Sequence, residues 1–437
     1  MSIEKINQAK AEISATSAYK TITAFFDADS FCEIDAFAKS GEGFAEVVAG
    51  FGTVEGMPVY AFAQNSDICG GAMSKAQAAK LKKLYGLALK TGAPVVGFYD
   101  SVGGRLNQGT ELLAGCGDVL NAAASLSGVV PQISVVLGTC LGTSALNAAS
   151  ADIVIMSKDA QLSLSVTGKH SDAAYNAENG IASIVCDDAD KAIKAAKELI
   201  LYLPSNNLTM APQSFEEAPA EDGCGCVVSR TVDGNSIVKL FNDYGKEANV
   251  RFARLGGQVV GIVVTKGKEL GCKSANKVAK FVRFCDAFSL PVVTFVNCPG
   301  FESIKSATKA SAAYAEATTV KISVVTGKAI GSGYVALAGT GANADVVYAL
   351  PDAVISPVNV EAAAFIMAPE VMNVATDKQA EVAQKFADEN LSAYNAAQNG
   401  YVDGIVEEAQ LRQTLISALD MLSGKRVSTL SKKHSTI

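Results

Sequence analysis

Short apolar segments rich in β-branched residues alternate with longer segments whose apolar residues recur at helical spacing. One apolar run, residues 322–325, leads into the small-residue turn Gly331-Ser332-Gly333, and the apolar segment Tyr334 to Leu337 follows. β-branched runs favour buried strands, and the segment after the turn suits a buried helix. This alternation predicts an α/β fold in which helices cover a sheet.

The same criteria predict further elements along the chain. They are helices at 3–26, 72–90 and 274–288, strands at 29–35, 94–99, 133–137, 153–156, 162–166 and 291–296, and a hairpin at 54–64 that turns at Gly56. Small-residue turns follow two of these strands. Residues 100–105 come after strand 94–99, and residues 297–301 come after strand 291–296.

The second half of the chain repeats the first. Gly142-Thr143-Ser144 occupies the place in the first half that Gly331-Ser332-Gly333 occupies in the second. The matched segments are 93–98 with 290–295, 132–147 with 321–336 and 151–154 with 344–347, and further upstream Asp29 is matched with Asp233 and Gly56 with Gly256. A repeat of this length predicts two domains of similar fold, residues 1–210 and 211–437. The segment 204–223, rich in proline and acidic residues, is the predicted linker.

Composition limits the possible functions. The chain has 437 residues, 49% hydrophobic and 19% charged, with a net charge of −7. An acidic balance without a block of Lys or Arg argues against nucleic acid as a partner. No apolar run approaches the roughly 20 residues of a membrane span, and the N-terminal residues lack the apolar core of a signal peptide, which predicts a cytoplasmic protein. The ten cysteines are scattered, and the close pair Cys224 and Cys226 has no second pair or histidine nearby, so no metal site is predicted.

The two turns in each half favour one kind of chemistry. Small residues let the backbone turn tightly, so that the first N–H groups of a helix can face a negatively charged oxygen. Amides from two turns that end neighbouring strands can converge on one oxygen, which predicts one oxyanion site in each half. Two such sites favour a reaction in which one reactant gives a group and another receives it. Neither histidine, His170 or His434, lies beside a motif, so no histidine base is predicted.

Several of these motifs also carry a family resemblance. Some stretches of the second half are similar to the carboxyltransferase subunits of biotin-dependent acyl-CoA carboxylases, of the propionyl-CoA carboxylase β-subunit type. They are residues 281–288, 291, 296–301, 314–318 and 328–334. They also resemble the related α-subunits of glutaconyl-CoA and methylmalonyl-CoA decarboxylases. Residues 92–95, 100–101, 128–134 and 138–142 resemble the family in the same order, so the resemblance extends from about residue 20 to the end of the chain.

The resemblance implies a fold, a reaction and partners. Each half would be a crotonase-like β-β-α superhelix, the first binding acyl-CoA and the second, from a partner chain, binding biotin. Active sites would form across a dimer interface in a larger homo-oligomer such as a hexamer. No Ala-Met-Lys-Met sequence is present, so biotin would arrive on a separate biotin carboxyl carrier protein. A biotin carboxylase or a membrane decarboxylase subunit would complete the system.

The resemblance also assigns residues. Main-chain amides of one loop pair would stabilise one oxyanion, and those of the other pair the second. The first set is Gly103, Gly104, Gly142 and Thr143, and the second is Gly300, Ser332 and Gly333. Arg105 follows a pocket loop and is predicted to contact the CoA phosphates. Val335 stands where some family members have Asp and is predicted to affect acyl preference.

This sequence departs from the family in ways that leave alternatives open. The segments 301–314 and 166–181 are shorter than the family's pocket loops. A carboxyltransferase is the leading hypothesis, and a sodium-pumping decarboxylase, which runs the same half-reaction backwards, is its nearest rival. The shortened loops also suit a non-catalytic paralogue that holds a carboxylase complex together. A hydratase or isomerase that acts without biotin is disfavoured, because no Glu pair lies near the glycine turns.

Overall fold

The computed structural model describes residues 3–41, 43–165, 170–214, 226–368 and 376–427. The chain divides into two compact units, Met1–Ala211 and Pro212–Ile437. Within the described residues, each unit contains one eight-stranded sheet. Residues 215–223 of the predicted linker lie outside the described residues.

The first unit alternates strands and helices as predicted. Its helices are α1 (Ile3–Ser14), α2 (Ser17–Phe25), α3 (Lys75–Thr91), α4 (Thr110–Ala124), α5 (Thr143–Ala149), α6 (Ala173–Glu178) and α7 (Ala189–Ile200). Its strands are β1 (Cys32–Glu33), β2 (Lys39–Ser40), β3 (Gly43–Phe44), β4 (Val47–Val54), β5 (Met57–Gln64), β6 (Val95–Ser101), β7 (Gln132–Leu141), β8 (Ile153–Ser157), β9 (Gln161–Ser163) and β10 (Ile184–Cys186). The sheet order is β1-β4-β5-β6-β7-β8-β10, with β9 paired to β7 and with β2 and β3 forming a separate ribbon.

The second unit has the same topology. Its helices are α8 (Val227–Thr231), α9 (Cys272–Ala287), α10 (Ile304–Glu316), α11 (Ser332–Leu337), α12 (Val360–Met367), α13 (Thr376–Asn390), α14 (Ala393–Gln398) and α15 (Glu408–Leu422). Its strands are β11 (Val238–Leu240), β12 (Ala248–Leu255), β13 (Gln258–Thr265), β14 (Val292–Cys298), β15 (Lys321–Ile330), β16 (Val346–Ala349), β17 (Val354–Ser356) and β18 (Gly404–Ile405). The sheet order is β11-β12-β13-β14-β15-β16-β18, with β17 paired to β15. Single 3-10 turns lie at Cys69–Gly71, Leu106–Gln108 and Thr340–Ala342.

One long strand in each unit pairs with two different partners. The first half of β7 runs parallel to β8, and its second half runs parallel to β9. In the second unit β15 pairs in the same way with β16 and then with β17. The first five residues of β7 and of β15 are buried, as expected for parallel strands covered on both faces. The far ends of these strands therefore stay paired with β6 or β14 on one side and exchange their neighbour on the other side.

The structure corrects one predicted helix. The segment 3–26 forms two helices, because Thr16 ends the first and caps the second: its hydroxyl accepts a hydrogen bond from the Tyr19 amide, 3.4 Å away. Threonine favours this N-cap position over a helix interior. The hairpin at Gly56 is confirmed, although its first strand begins at Val47, seven residues before the predicted start. Of the predicted strand 162–166, the described residues confirm Gln161–Ser163, and Val166 lies outside the described residues.

The repeat is confirmed, but two of its predicted matches are shifted. Asn235 and Asp29 share a left-handed backbone, with φ of 55° and 59°, so Asp233 corresponds to Asp27 rather than to Asp29. In the hairpins, Gly257 and Gly56 have φ of 78° and 77° and occupy the same turn position. Gly256 therefore corresponds to Glu55. What recurs is the backbone conformation that a two-residue hairpin needs, and not the residue type.

Asp233 and Asp27 hold their hairpin turns in the same way. The Asp233 carboxylate accepts hydrogen bonds from the Gly256 and Gly257 amides at 2.9 and 2.8 Å. Asp27 accepts from the Gly56 amide at 3.0 Å, and also from the neighbouring turn residue. Asp233 alone forms an ion pair with an arginine, Arg412 of α15, at 2.7 Å, and its side chain is only 3% exposed. A buried carboxylate thus connects the hairpin of the second unit to its last helix.

Replacing Asp233 with alanine is expected to destabilise the second unit. Arg412 and two turn amides would lose their common acceptor, and removing one partner of a largely buried ion pair typically costs about 3 kcal/mol. Denaturant unfolding followed by circular dichroism measures the loss, and hydrogen exchange at Gly256 and Gly257 shows whether it is local. Asp27→Ala is the matched control and should cost less, because Asp27 has no arginine partner. Equal losses in the two variants would contradict this account.

Candidate active site

Four loops at strand ends, here called the strand-end loops, carry the predicted site residues. They are residues 100–105 and 142–144 in the first unit, and residues 297–302 and 331–333 in the second. Each unit is described by itself below.

A polar side chain braces the first loop of each unit. The pairing of β6 with β7 shifts register between Tyr99 and Ser101, and Asp100 at the shift accepts a hydrogen bond from the Thr139 amide at 3.1 Å. A Cβ atom at Gly138 would lie 2.4 Å from the Asp100 carboxylate, so the bracing needs glycine there. In the second unit Asn297 accepts from the Lys328 amide, also at 3.1 Å. Asp and Asn both carry a side-chain oxygen that accepts a hydrogen bond, and this acceptor is the feature that the two halves of the chain share.

The carbonyl of a glycine anchors the same loops. Gly103 has φ +122°, and its carbonyl accepts a hydrogen bond from the Met73 amide at 2.8 Å. Gly300 has φ +148°, and its carbonyl accepts from the Leu270 amide at 3.0 Å. Residues with a side chain rarely adopt these backbone angles. Both glycine carbonyls are therefore held by the segment that precedes α3 or α9.

The second loop of each unit is a strand that turns directly into a helix. The Gly142 amide donates to the Ser163 carbonyl of β9 at 3.0 Å, and the Gly331 amide donates to the Ser356 carbonyl of β17 at 2.8 Å. Both glycines have left-handed φ, +62° and +50°, and each is the N-cap of a short helix. The glycine amide thus completes the sheet, and the free amides belong to the residues that follow it.

This arrangement changes the predicted set of donors. Gly142 donates to Ser163, and Gly103 donates to the Ser101 hydroxyl at 3.2 Å, so two predicted amides already have acceptors. Within the described residues, no acceptor is found for the amides of the other predicted residues. These are Gly104 and Thr143 in the first unit, and Gly300, Ser332 and Gly333 in the second.

One further free donor was missed. The amide of Ser144 also has no acceptor within the described residues, and Ser144 occupies the place of Gly333 in the repeat. The repeat carried this signal, because Gly333 was predicted as a donor while its counterpart was not. Each helix therefore presents two consecutive amides, Thr143 with Ser144 and Ser332 with Gly333.

The two loops of each unit lie in contact. In the first unit the Ser144 and Ser101 hydroxyls are 3.3 Å apart, and a Cβ atom on Gly142 would lie 4.0 Å from the Gly103 Cα. In the second unit a Cβ atom on Gly333 would lie 2.4 Å from the Cys298 carbonyl oxygen. The structure thus brings together, within each unit, the two loops that the sequence predicted to converge.

The two predicted substrate-binding residues differ in how far their side chains are available to a ligand. The guanidinium of Arg105 forms an ion pair with fully buried Glu46 at 2.7 Å and donates to the Ser40 hydroxyl at 2.7 Å. Glu46 also accepts a hydrogen bond from Ser74, the N-cap of α3. The positive charge of Arg105 is therefore largely neutralised by Glu46 within the first unit. The Val335 side chain, by contrast, is 54% exposed on α11.

Two thiols near the loops of the second unit have opposite electrostatic surroundings. Burial raises the pKa of Cys298 to about 11, so this thiol stays protonated and donates to the Gly300 carbonyl. Cys272 is exposed at the start of α9. Hydrogen bonds with Ser306 and Ser303 lower the pKa of its thiol. Cys272 is thus disposed to form a thiolate.

Two searches of the described residues gave no candidate. No group of three or more His, Cys, Asp and Glu side chains there could hold a metal ion. No helix among them is both long enough and apolar enough to cross a membrane.

Fold and loops together define a class of protein. Each unit has a mixed, mostly parallel sheet in which one long strand pairs with two successive neighbours on the same side, and amide donors stand where this strand turns into a helix. This is the crotonase-like architecture, present twice in one chain, and with free amides at the strand ends it is suited to holding a negatively charged oxygen.

Comparison with known proteins agrees with this class. The carboxyl transferase domain family matches residues 15–437. The chain is 35% identical to the methylmalonyl-CoA decarboxylase subunit alpha of Veillonella parvula, over 96% of this chain and 92% of that protein. It is 33% identical to a putative propionyl-CoA carboxylase beta chain of Bacillus subtilis, over 99% and 96% of the two chains. A crystal structure of hexameric transcarboxylase 12S, with methylmalonyl-coenzyme A bound, superposes with a TM-score of 0.90 at 30% identity, over 99% and 98% of the two chains.

The chain belongs to the carboxyl transferase family. It is an acyl-CoA carboxyltransferase of the kind found in acyl-CoA carboxylases and decarboxylases. The predicted family, the tandem crotonase-like fold and the enzyme class are thereby confirmed.

Cys272 is expected to be alkylated faster at neutral pH than the buried thiols Cys140, Cys285 and Cys298, whose pKa values burial raises. Ser306→Ala removes a hydrogen bond that lowers the Cys272 pKa. The pH midpoint of its alkylation should then rise, and the rate at pH 7.5 should fall about threefold or more. Mass spectrometry of iodoacetamide-treated protein measures this. Thr308→Ala on the exposed side of α10 is the control, and a Ser306→Ala profile identical to wild type would refute the assignment.

Proposed function

We propose that this chain moves a carboxyl group between carboxybiotin, carried on a separate biotin carboxyl carrier protein, and the α-carbon of a short acyl-CoA. The observation that supports this most is the equivalent placing, in both units, of two consecutive helix amides that have no acceptor among the described residues. They are Thr143 with Ser144 and Ser332 with Gly333. Gly104 and Gly300 lie on the loops in contact with them, and the described part of the chain offers no acceptor to their amides either.

The donors fit both reactants. When an acyl-CoA loses its α-proton, negative charge develops on the thioester oxygen, and an amide donor placed there contributes roughly 3 to 4 kcal/mol to the transition state. Biotin, when it is bound, supplies the carboxyl group from a urea nitrogen, and the neighbouring urea oxygen is an amide-type acceptor like the thioester oxygen. One donor pair for each oxygen accounts for the presence of two sites in one chain.

The assignment of reactants to units is part of the proposal. Residues 1–210 would bind acyl-CoA and residues 211–437 would bind biotin, in a homo-oligomer built from dimers. The hexameric transcarboxylase 12S with bound methylmalonyl-coenzyme A supports both the oligomer and the substrate class. Val335, exposed beside the donors of the second unit, is proposed to influence which reactant fits there. Arg105 is proposed to act mainly by holding its loop to Glu46 through their ion pair. Contact with a CoA phosphate would be made by the guanidinium N–H groups that do not face Glu46.

Decarboxylation is the second candidate, because relatives of both kinds match at similar identity. The methylmalonyl-CoA decarboxylase subunit alpha of Veillonella parvula is 35% identical, and the putative propionyl-CoA carboxylase beta chain of Bacillus subtilis is 33% identical. The same donors serve both directions, since forward and reverse reactions share a transition state. A partner would set the direction: a biotin carboxylase for synthesis, or a membrane decarboxylase subunit for the reverse.

Proline at the first helical position tests the donors directly. Thr143 and Ser332 are the first residues of α5 and α11, where proline is compatible with the helix but has no N–H. Thr143→Pro and Ser332→Pro should each lower kcat about 10²–10³-fold, the usual effect of losing one oxyanion donor. The assay follows loss of carboxylate from methylmalonyl-CoA or malonyl-CoA in the presence of free biotin.

Alanine at the same positions is the matched control. Thr143→Ala and Ser332→Ala keep the amide and remove only the side chain, so kcat should stay within a few-fold of wild type. All four variants should show wild-type circular dichroism and the same oligomer size. Proline variants that fold correctly and keep full turnover would refute the donor assignment, and alanine variants as inactive as the proline variants would show that the side chains matter instead.

A further inference from the structure

A polar pocket of about 730 Å³ lies on the second unit and shares no residue with the strand-end loops. Its described lining comes from the start of α8, the β11–β12 ribbon and the end of β13. Arg251, Lys239 and Lys266 line it. The pocket therefore contains three cationic side chains in a chain whose net charge is −7.

Arg251 is the unusual member of this group. Its side chain lies on β12, only 7% of the residue is exposed, and its Nε atom is buried without a hydrogen-bond partner. Burial lowers the pKa of Arg251, but a guanidinium keeps its proton at any physiological pH. A buried charge without a partner is strongly unfavourable, so the position is stabilised when an anion enters.

The two lysines stand on the same face of the sheet. Lys239 of β11 lies directly opposite Arg251 in the antiparallel register. Lys266 follows β13 in the alternation that includes Ile262, which is the other cross-strand neighbour of Arg251. Burial, and then the charge of Arg251, lower the pKa of Lys266, in keeping with their place in one pocket lining.

No carboxylate in the described lining neutralises this charge. Asp233 is the one acidic residue among the described lining residues, and its oxygens accept from the Gly256 and Gly257 amides and from Arg412. Within the described part of the chain, none of the three cations forms an ion pair. Glu247, which is not a lining residue, is the carboxylate whose charge raises the pKa of Lys266. Among the described lining residues, the positive charge that faces the pocket is therefore not paired with a carboxylate.

The fold does not require this pocket. Arg251 corresponds to Gly50 in the first unit, because both pair with the middle of their hairpin partner strand. A Cβ atom at Gly50 would lie 2.1 Å from the Cys32 carbonyl oxygen and 2.7 Å from the Phe31 ring. Protein atoms fill in the first unit the space that stays open in the second. The cations are therefore a local feature of the second unit.

We propose that this pocket binds a phosphate-bearing small molecule, with the phosphate on Arg251 and flanked by Lys239 and Lys266. A guanidinium fork matches two phosphate oxygens, and a dianion suits three cations better than a single carboxylate does. The volume leaves room for a group attached to the phosphate. Inorganic phosphate and a nucleotide phosphate share this chemistry. The proposal is independent of the carboxyl-transfer assignment.

Isothermal titration at constant ionic strength tests the site in the full-length protein. The two probes are inorganic phosphate and adenosine 3′,5′-bisphosphate, with chloride as the ionic control. Wild type should show saturable binding. Tighter binding of the bisphosphate would indicate a nucleotide source, and equal affinity would indicate free phosphate.

Arg251→Gln should weaken binding about tenfold or more, because one charge-assisted contact is lost. Arg254→Gln, three residues along β12 on its other face, is the matched control and should bind as wild type does.

Thermal unfolding gives a second readout that does not depend on measuring affinity. Without phosphate, Arg251→Gln should be at least as stable as wild type, because it removes a buried charge that has no partner. Phosphate should raise the melting temperature of wild type and of Arg254→Gln, but not that of Arg251→Gln. Absence of saturable binding in wild type, or equal phosphate effects in wild type and Arg251→Gln, would overturn the proposal.

Discussion

A single main-chain hydrogen bond, present once in each unit, determines where the site amides lie. Gly142 donates to Ser163 and Gly331 donates to Ser356, which fastens the end of the long strand to the short strand beside it. The helix must begin at the next residue, because the glycine amide is used and the glycine backbone has turned into the left-handed region. The amides that remain without a partner are therefore the first two of the helix. Their position follows from strand pairing and needs no particular side chain at those residues.

This dependence explains which sequence positions tolerate change. Thr143 and Ser144 stand in the first unit where Ser332 and Gly333 stand in the second, yet both pairs offer two amides, since any residue except proline carries one. Asp100 and Asn297 differ in charge but both supply an oxygen to the facing strand. Residue identity is kept where backbone angle or close contact demands it, as at Gly103 and Gly300.

Much of the architecture could be predicted from the sequence, because buried strands and the internal repeat leave strong patterns. The helix at 3–26 was predicted as one element because apolar spacing continues across Thr16, and spacing alone does not show that a hydroxyl caps a new helix. The repeat was misaligned at Asp233 because similar letters, Asp and Gly, recur near the equivalent positions, whereas the conserved property is a backbone angle. Small residues were enough to predict which two loops of each unit lie in contact, whereas their role as a site stays a prediction. Which amide of a loop is free could not be predicted, because it depends on β9 and β17, whose pairing with the long strand is not visible in the sequence. The cations beside Arg251 were missed for a similar reason, since three separate segments bring them together.

The two proposed sites have equivalent backbones but differ in how closely the helix packs against the neighbouring loop. This difference bears on which reactant each site binds. In the first unit, the helix residue that faces the neighbouring loop is Ser144, and its hydroxyl lies 3.3 Å from that of Ser101. In the second unit the same place is taken by Gly333, where even a Cβ atom would come within 2.4 Å of the Cys298 carbonyl. The second unit therefore packs helix backbone directly on loop backbone, while the first keeps a layer of hydroxyl groups between them. A thiol that burial holds in its protonated form replaces the Ser101 hydroxyl in the second unit and still donates to the glycine carbonyl. Two proposed sites with the same amide donors but different spacing behind them suit different ligands, and this favours two chemically distinct reactants over two copies of one.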